Sequence, residues 1–380
     1  MWRTSAGRLG LYPRRVMVAK SLERFRPFAG KVGIMVSVCM LTELEKYRTI
    51  IPYKNPGGMG TNVPMVVKEL EKAGVRVLMN DPKGQYDVLH VHSPLPNSFF
   101  WAMKQRKAGR PLIVHGRHLP ELVKGGFVGG SLWYPLVRAY SVKFYNMGTV
   151  VVGATPYVAK SLARDGVRGP FKIIPNGINR EVFVRDEAAG ARFRERLGIS
   201  RSDRLVLSVG LRIPRKGVDT FVNMSNAFRD RPDVKFVWVG ESEVLLQDAL
   251  DEVESGNVKF PGHVPFSDIV GVYSAADVFV FPTRAESYGN VMLEAASCGC
   301  PLLIRDIPVY EEWVHDGKHC LKAKSDQEFI ERLRLLLDDS SLRSKMIDGA
   351  KLLASEQDMK KTVLMLKELY ESLASGGRTK

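Results

Sequence analysis

Long apolar runs are missing from this 380-residue chain. The best candidate, VGIMVSVCML at 32 to 41, has the length of a buried strand and falls well short of the ~18 residues that a membrane-spanning helix needs. Arg3, Arg8, Arg14 and Arg15 stand near the start, but no compact apolar stretch follows them as a secretory signal requires. Cysteine is scarce: Cys39, Cys298, Cys300 and Cys320 have no metal-ligand spacing, and Cys298-x-Cys300 is too tight for a CxxC site. That pattern suits reduced structural thiols and excludes a disulfide framework. Low-complexity tracts and short-period repeats are lacking too. The expectation is a cytosolic protein, attached to a membrane from outside if at all.

Acidic residues are also missing, but only from one part. Residues 1 to 175 hold 27 Lys and Arg against 9 Asp and Glu, a net +18, whereas residues 176 to 380 hold 29 against 32, a net −3. A basic first half points to an anionic partner, either a surface of acidic lipid or nucleic acid; a merely solvated basic face is the plain alternative. The chain is too long for one ordinary core, which rarely grows past roughly 250 to 300 residues, so two domains are expected.

From Lys31 onward short β-branched runs alternate with helix-like segments: VGIMVSV, VRVLM, DVLHVH, PLIVH, TVVVGA and FKIIPNG. A second series follows Pro175: RLVLSVG, VKFVWVG, VKFPG, DVFVFP and PLLIRD. Alternation of this kind predicts parallel strands with crossover helices, and two series predict an α/β architecture of two Rossmann-like, doubly wound domains facing a central cleft. The boundaries read from the pattern are a basic arm over 1–30, a first domain over 31–175 and a second over 176–358. A C-terminal helix over 359–380 can cross back to the first domain. The hinge is placed near PNGINREVF, where Pro175 and Gly177 interrupt the pattern.

In open α/β sheets ligands bind beyond the carboxyl ends of the strands, where helix N-termini offer N–H groups to anions. Five loops follow strands there. PYKNPGGMGTN supplies Gly57, Gly58 and Gly60 ahead of a helix and can cradle phosphate, although a flexible loop explains the same glycines. PLIVH ends in His115 beside Gly116, with His118 a short turn later; a histidine so placed can shuttle a proton or be structural. VGLRIPRKGVDTF delivers Arg212, Arg215 and Lys216 just before a helix, a set suited to a diphosphate. VGESE at 239 to 243 could line the same pocket. RAESYGNVMLEAASCGC carries Glu286 and Glu294 eight apart across Gly289, which opens a helix. Glu294 sits among Val291, Met292, Leu293, Ala295 and Ala296, where an unpaired carboxylate would be costly. A carboxylate can accept from two sugar or ribose hydroxyls at once, while helix N–H groups and the Arg215/Lys216 cations hold a departing diphosphate.

Taken in order, GGMG, the HGRH turn, IPNGIN, RKG and Glu286-SYGNVML-Glu294 with its following AASCGCP resemble the GT-B-fold retaining glycosyltransferases of family 4, which carry a Glu-x7-Glu motif. The resemblance covers essentially all of residues 31 to 375. It implies that the second domain binds a UDP- or GDP-linked sugar, that Glu294 takes the ribose hydroxyls and that Glu286 faces the donor sugar. It also implies that Arg215 and Lys216 neutralise the diphosphate, with Gly58, Gly60, Gly289, Asn290 and Val291 helping through their backbone. His115 would contact the donor sugar and the reacting centre. The family usually places an arginine directly after the strand-ending glycine; here the order is Gly210-Leu211-Arg212, so Arg212 or Arg215 completes the cation pair. No metal or other cofactor is implied.

HGRHLPELVKGGFVGGSLWYPLVRAYSVKFYN and IPVYEEWVHDGKH look most like the glycolipid branch, especially diacylglycerol glucosyltransferases. Two amphiphilic segments agree. NSFFWAMKQRKAGR offers Phe99, Phe100, Trp101, Lys104, Arg106 and Lys107; SLWYPLVRAYSVKFYN offers Trp133, Tyr134, Arg138 and Lys143, with His118 nearby. Aromatics mixed with cations settle at lipid headgroups, although core helices with basic outer faces read the same way. The resulting expectation is hexose transfer to a lipid or lipid-linked acceptor on the inner face of a membrane. Its rivals are a soluble acceptor, a sugar-nucleotide epimerase and a nucleic-acid-binding protein. The last would leave the two glutamates unexplained and lacks any base-stacking arrangement of its aromatics.

Overall fold

The computed structural model describes residues 35–42, 57–125, 130–241 and 257–376. The basic arm over 1–30, PYKNP ahead of the first glycines, Ser242 and Glu243 of VGESE, and the last four residues lie outside them.

Two parallel six-stranded sheets are built from these residues. The first comprises β1 (Ser37–Leu41), β2 (Arg76–Met79), β3 (Val88–Val91), β4 (Leu112–Gly116), β5 (Val150–Gly153) and β6 (Phe171–Ile173), in the order β2-β1-β3-β4-β5-β6. The second comprises β7 (Arg204–Val209), β8 (Val234–Val239), β9 (Val258–Gly262), β10 (Val278–Phe281), β11 (Leu302–Arg305) and β12 (Leu321–Ala323), in the order β12-β11-β10-β7-β8-β9. The α/β reading thus stands, with two Rossmann-like sheets. Crossover helices cover both faces, so β3, β4, β5 and β10 are buried at every position and are apolar except for His90 in β3 and His115 in β4.

Two strands differ from the pattern. The run VGIMVSV predicts a strand over 32 to 38; residues 32 to 34 lie outside the described ones, and β1 spans Ser37–Leu41, where Val38 pairs with both Val77 and Val88. Strand β12 escaped notice because its three residues, LKA, carry a lysine in the middle. Lys322 is tolerated there because its ammonium reaches Asp306 at 3.3 Å.

Helices α1 (Gly57–Lys72), α2 (Pro96–Lys107), α3 (Gly130–Tyr145), α4 (Pro156–Asp165), α5 (Glu187–Arg196) and α6 (Val218–Asn226) connect the strands in turn. Helix α4 starts where Thr155 Oγ1 accepts from the Val158 amide and stops at left-handed Gly166. GGMG is not a loop before α1; it is the first turn of that helix.

The chain leaves the first sheet at 174–178 and returns beside its own exit. The Ile178 amide donates to the Gln357 carbonyl at 2.8 Å, and the Met359 amide donates to the Ile178 carbonyl at 3.0 Å. Helix Met359–Gly376 then packs on α1 and the first sheet, burying Met359, Val363, Leu366, Leu369 and Tyr370 against Val63, Val66, Leu70 and Val88. The crossing requires glycine at 177: its φ is +73°, and a Cβ there would lie 2.6 Å from Thr362 Oγ1 and 2.7 Å from Met359 Cα. Gly177→Ala should therefore lower stability by about 1–3 kcal/mol, the usual cost of overpacking, and calorimetry showing an unchanged Tm would contradict this account of the crossing.

Candidate active site

Strands β7 and β10 are neighbours, so the segments that leave their carboxyl ends meet. From β7 come Arg215 and Lys216; from β10 come Thr283 and Glu286. Glu286 Oε1 accepts from Thr283 Oγ1 at 3.0 Å, is bonded by the Lys216 ammonium, and has Arg215 Nη1 at 3.6 Å. Arg215 is itself fixed, donating from Nη1 to the Ala285 carbonyl at 2.7 Å. Burial works against a charge on Glu286, but Lys216 and then Arg215 outweigh it and hold the carboxyl below its ordinary range. Burial likewise pulls Lys216 downward, partly offset by Glu286. Arg212 is engaged elsewhere, its guanidinium 4.9 Å over the Phe260 ring and its amide donating to Glu241. The cations gathered at Glu286 are thus Arg215 and Lys216.

Gly289 follows, with φ +96°, and starts helix Asn290–Ser297. A side chain at 289 would collide with Tyr310, whose hydroxyl lies 2.6 Å from the Cβ position. That left-handed residue turns the chain sharply enough to carry Glu286 and the helix start on one short connection. Inside the helix Glu294 is buried, and Tyr273 donates its hydroxyl to Oε2 at 2.7 Å. Burial, only partly countered by that bond, raises the Glu294 carboxyl to about 7. It is poised to become a full acceptor near neutral pH.

The first sheet contributes a second polar group at the ends of β3 and β4. His115 is buried, with Nδ1 3.1 Å from His90 Nε2, and its Nε2 has no partner among the described residues. Arg117, half-buried, donates from Nε to His92 Nδ1 at 3.0 Å and from Nη2 to Asn62 Oδ1 at 3.4 Å. His118 is accessible to solvent but hemmed by protein; that surrounding burial and the Arg117 charge lower its pKa to about 4. Asn62 also donates to the carbonyls of Asn176 and Gly177, and Asn176 Nδ2 donates to Asn290 Oδ1 at 3.0 Å. A polar connection therefore runs from β3 and β4, through Asn176 and Gly177, to the start of the Glu294 helix. The ligating nitrogens of His90, His92 and His115 lie within 4.8 Å of one another. They make a poor cation site, because Arg117 occupies His92 Nδ1 and both nitrogens of His90 are bonded within the protein.

Sequence reading missed His90, His92, Arg117, Thr283, Tyr273 and Tyr310. The first two had a signal: DVLHVH places them two apart in a strand, hence on one face. Tyr273 had none, since it reaches Glu294 only through packing of helix Ile269–Ser274.

The amphiphilic residues lie on α2 and α3, joined where the Phe99 ring stacks on Tyr140 at 5.2 Å. Phe100 and Trp133 are each 51% exposed. Lys104, Arg106, Lys107, Arg138 and Lys143 are exposed, and Trp101 and Tyr134 half-buried. Lys104 sits over Trp101, and Arg138 is paired with Asp165 at 2.8 Å. Sequence reading overlooked Leu132 and Leu136, which are 80% and 63% exposed on the same face of α3. Among the described residues no helix is long and apolar enough to cross a membrane.

The sequence profile of the family described as Glycosyltransferase Family 4 matches residues 45–182, and that described as Glycosyl transferases group 1 matches residues 191–353. The chain is a GT-B glycosyltransferase. Among similar glycosyltransferases is the processive diacylglycerol alpha-glucosyltransferase of Acholeplasma laidlawii, 26% identical over 80% of this chain and 91% of its own. The alpha-galactosylglucosyldiacylglycerol synthase of Streptococcus pneumoniae is 25% identical over 77% of this chain and 79% of its own. Of solved structures, Anabaena HepE in complex with UDP and glucose superposes with a TM-score of 0.72 at 18% identity, over 89% of this chain and 100% of its own. Sucrose-phosphate synthase from Thermosynechococcus elongatus gives 0.73 at 18%, over 90% and 100%. These likenesses extend the GT-B fold over both sheets of this glycosyltransferase.

Proposed function

We propose that this glycosyltransferase moves a hexose, with retained anomeric configuration, from a nucleotide sugar to a lipid acceptor of diacylglycerol type at an anionic membrane surface, on the cytoplasmic side. The observation that carries the reading is Glu286 held between Lys216 and Arg215 at the start of the Gly289 helix. As the sugar–phosphate bond breaks, negative charge grows on the departing diphosphate and positive charge on the sugar. Lys216, Arg215 and the helix N–H groups answer the first; Glu286 and the partial charges around it answer the second. Glu294 takes the ribose hydroxyls. In this reading the chemistry needs no metal, because the cations are side chains. Apposition of the two sheets excludes water and orients the acceptor hydroxyl. The diacylglycerol enzymes among the relatives support the acceptor class.

The exposed apolar and basic residues of α2 and α3 supply the membrane side. Each buried Leu side chain contributes about 1.5–3 kcal/mol and each nearby cation about 1 kcal/mol at an acidic bilayer. Leu132→Glu/Leu136→Glu should cut sedimentation with phosphatidylglycerol vesicles at least about tenfold, since even ~1.4 kcal/mol is a factor of ten. Melting shifts with UDP-glucose, UDP-galactose or GDP-mannose should stay as in the parent. Equal sedimentation of parent and variant, or of parent on neutral and acidic vesicles, would remove the membrane from the proposal. Product anomer analysis by NMR tests retention directly.

A further inference from the structure

The polar group beneath Arg117 has more hydrogen-bonding capacity than the described protein atoms use. His92 Nε2, His115 Nε2 and Asn176 Oδ1 are all buried, and none has a partner among the described residues. Their side chains line one cavity of about 10 Å³, together with Arg117, Val63 and Thr362. That is the room a single water molecule needs.

The protons on these atoms follow from their partners. Arg117 Nε–H can only donate, so His92 Nδ1 accepts and the His92 proton resides on Nε2. Tyr370 lies 2.8 Å from His90 Nδ1. Were the Tyr370 hydroxyl to accept, its own O–H would be buried without a partner, so it donates; His90 then accepts at Nδ1 and carries its proton on Nε2, which it gives to His115 Nδ1. His115 is then also an Nε2–H. Asn176 gives its amide N–H to Asn290 and keeps its oxygen toward the cavity as an acceptor. Burial, reinforced by the Arg117 charge, keeps all three imidazoles neutral, with His90 lowered to about 3. Two N–H donors and one carbonyl acceptor match a water oxygen that accepts twice and donates once, about the three bonds a buried water makes. They do not match a metal ion, which needs lone pairs.

We propose that this cavity is a site for one internal water, which accepts from His92 Nε2–H and His115 Nε2–H and donates to Asn176 Oδ1. The water closes a hydrogen-bonded chain from Tyr370 in the C-terminal helix, through His90 and His115, to Asn176 and Asn290 at the start of the Glu294 helix. Tyr370 and His90 are thereby positioning residues for the second-domain site, although they touch no substrate. The inference is independent of which sugar or acceptor is used.

Long-range proton–nitrogen correlation spectra of the full chain, labelled with 15N-histidine, test it. His90, His92 and His115 should all appear as neutral Nε2–H tautomers from pH 5 to 8, and added zinc should leave them unshifted. An Nδ1–H tautomer at His92 or His115, titration in that window, or stoichiometric zinc binding would overturn the proposal. Tyr370→Phe should convert His90 and His115 to mixed tautomers and leave His92 unchanged; an unchanged His115 would show that the chain does not set it. A crystal structure resolving ordered waters should show a peak within hydrogen-bonding distance of the three atoms, and a cavity without one would refute the site.

Discussion

Lys216→Ala should lower kcat/KM by roughly 10²–10³-fold, the range seen when one preorganised donor to a developing charge is removed. Its companion, Glu286→Gln, should behave differently in binding. In the free enzyme Glu286 competes for the cations, since Lys216 and Arg215 both lie within 4 Å of its carboxylate. Removing its charge leaves them for the diphosphate, so UDP or GDP should bind at least as tightly while turnover falls. For Lys216→Ala the nucleotide should bind more weakly. Calorimetric titration with the nucleoside diphosphate separates the two, and weaker binding in both variants, or near-parental turnover in both, would undo the assignment of these roles.

Glu294→Ala removes an acceptor for two ribose hydroxyls; with hydrogen bonds to charged groups contributing ~1.5–3 kcal/mol each, the donor kcat/KM should fall on the order of 10²–10³-fold. Because the Glu294 carboxyl titrates at about 7 in the free protein, donor affinity should weaken with falling pH below that value. The limiting slope is about tenfold per pH unit, since a proton must leave before both hydroxyls can be accepted. Glu294→Gln should flatten that dependence. The sign for stability is opposite: a folded pKa above the unfolded one stabilises at low pH, and the contribution is lost as pH rises through about 7. Without donor, Glu294→Gln should therefore gain in Tm over the parent between about pH 4.5 and 7, with the gap constant above. A gap independent of pH would show that Glu294 does not titrate there.

Much of this was legible from residue order. Strands buried on both faces read as nearly continuous apolar runs, so PLIVH, TVVVGA and DVFVFP announced themselves, and two such series separated at Pro175 announced two sheets. The motif Glu286-SYGNVML-Glu294 was legible for a related reason: a carboxylate amid apolar neighbours needs an explanation that composition cannot supply. β12 was illegible because three residues around Lys322 have no periodicity of their own.

The sequence by itself determined the alternation of strands and helices, the basic first half, and the presence of two glutamates and three cations at strand ends. Only the tertiary structure decided which cation meets Glu286. Arg212 and Arg215 are equally good phosphate ligands on paper, and what separates them is that Phe260 lies under one and Ala285 beside the other. It also put His90 against His115 and Tyr273 on Glu294. Local sequence sets what each backbone segment can become, whereas a side chain's partner, and through it its charge and proton, is set by whatever distant segment is packed within about 3 Å of it.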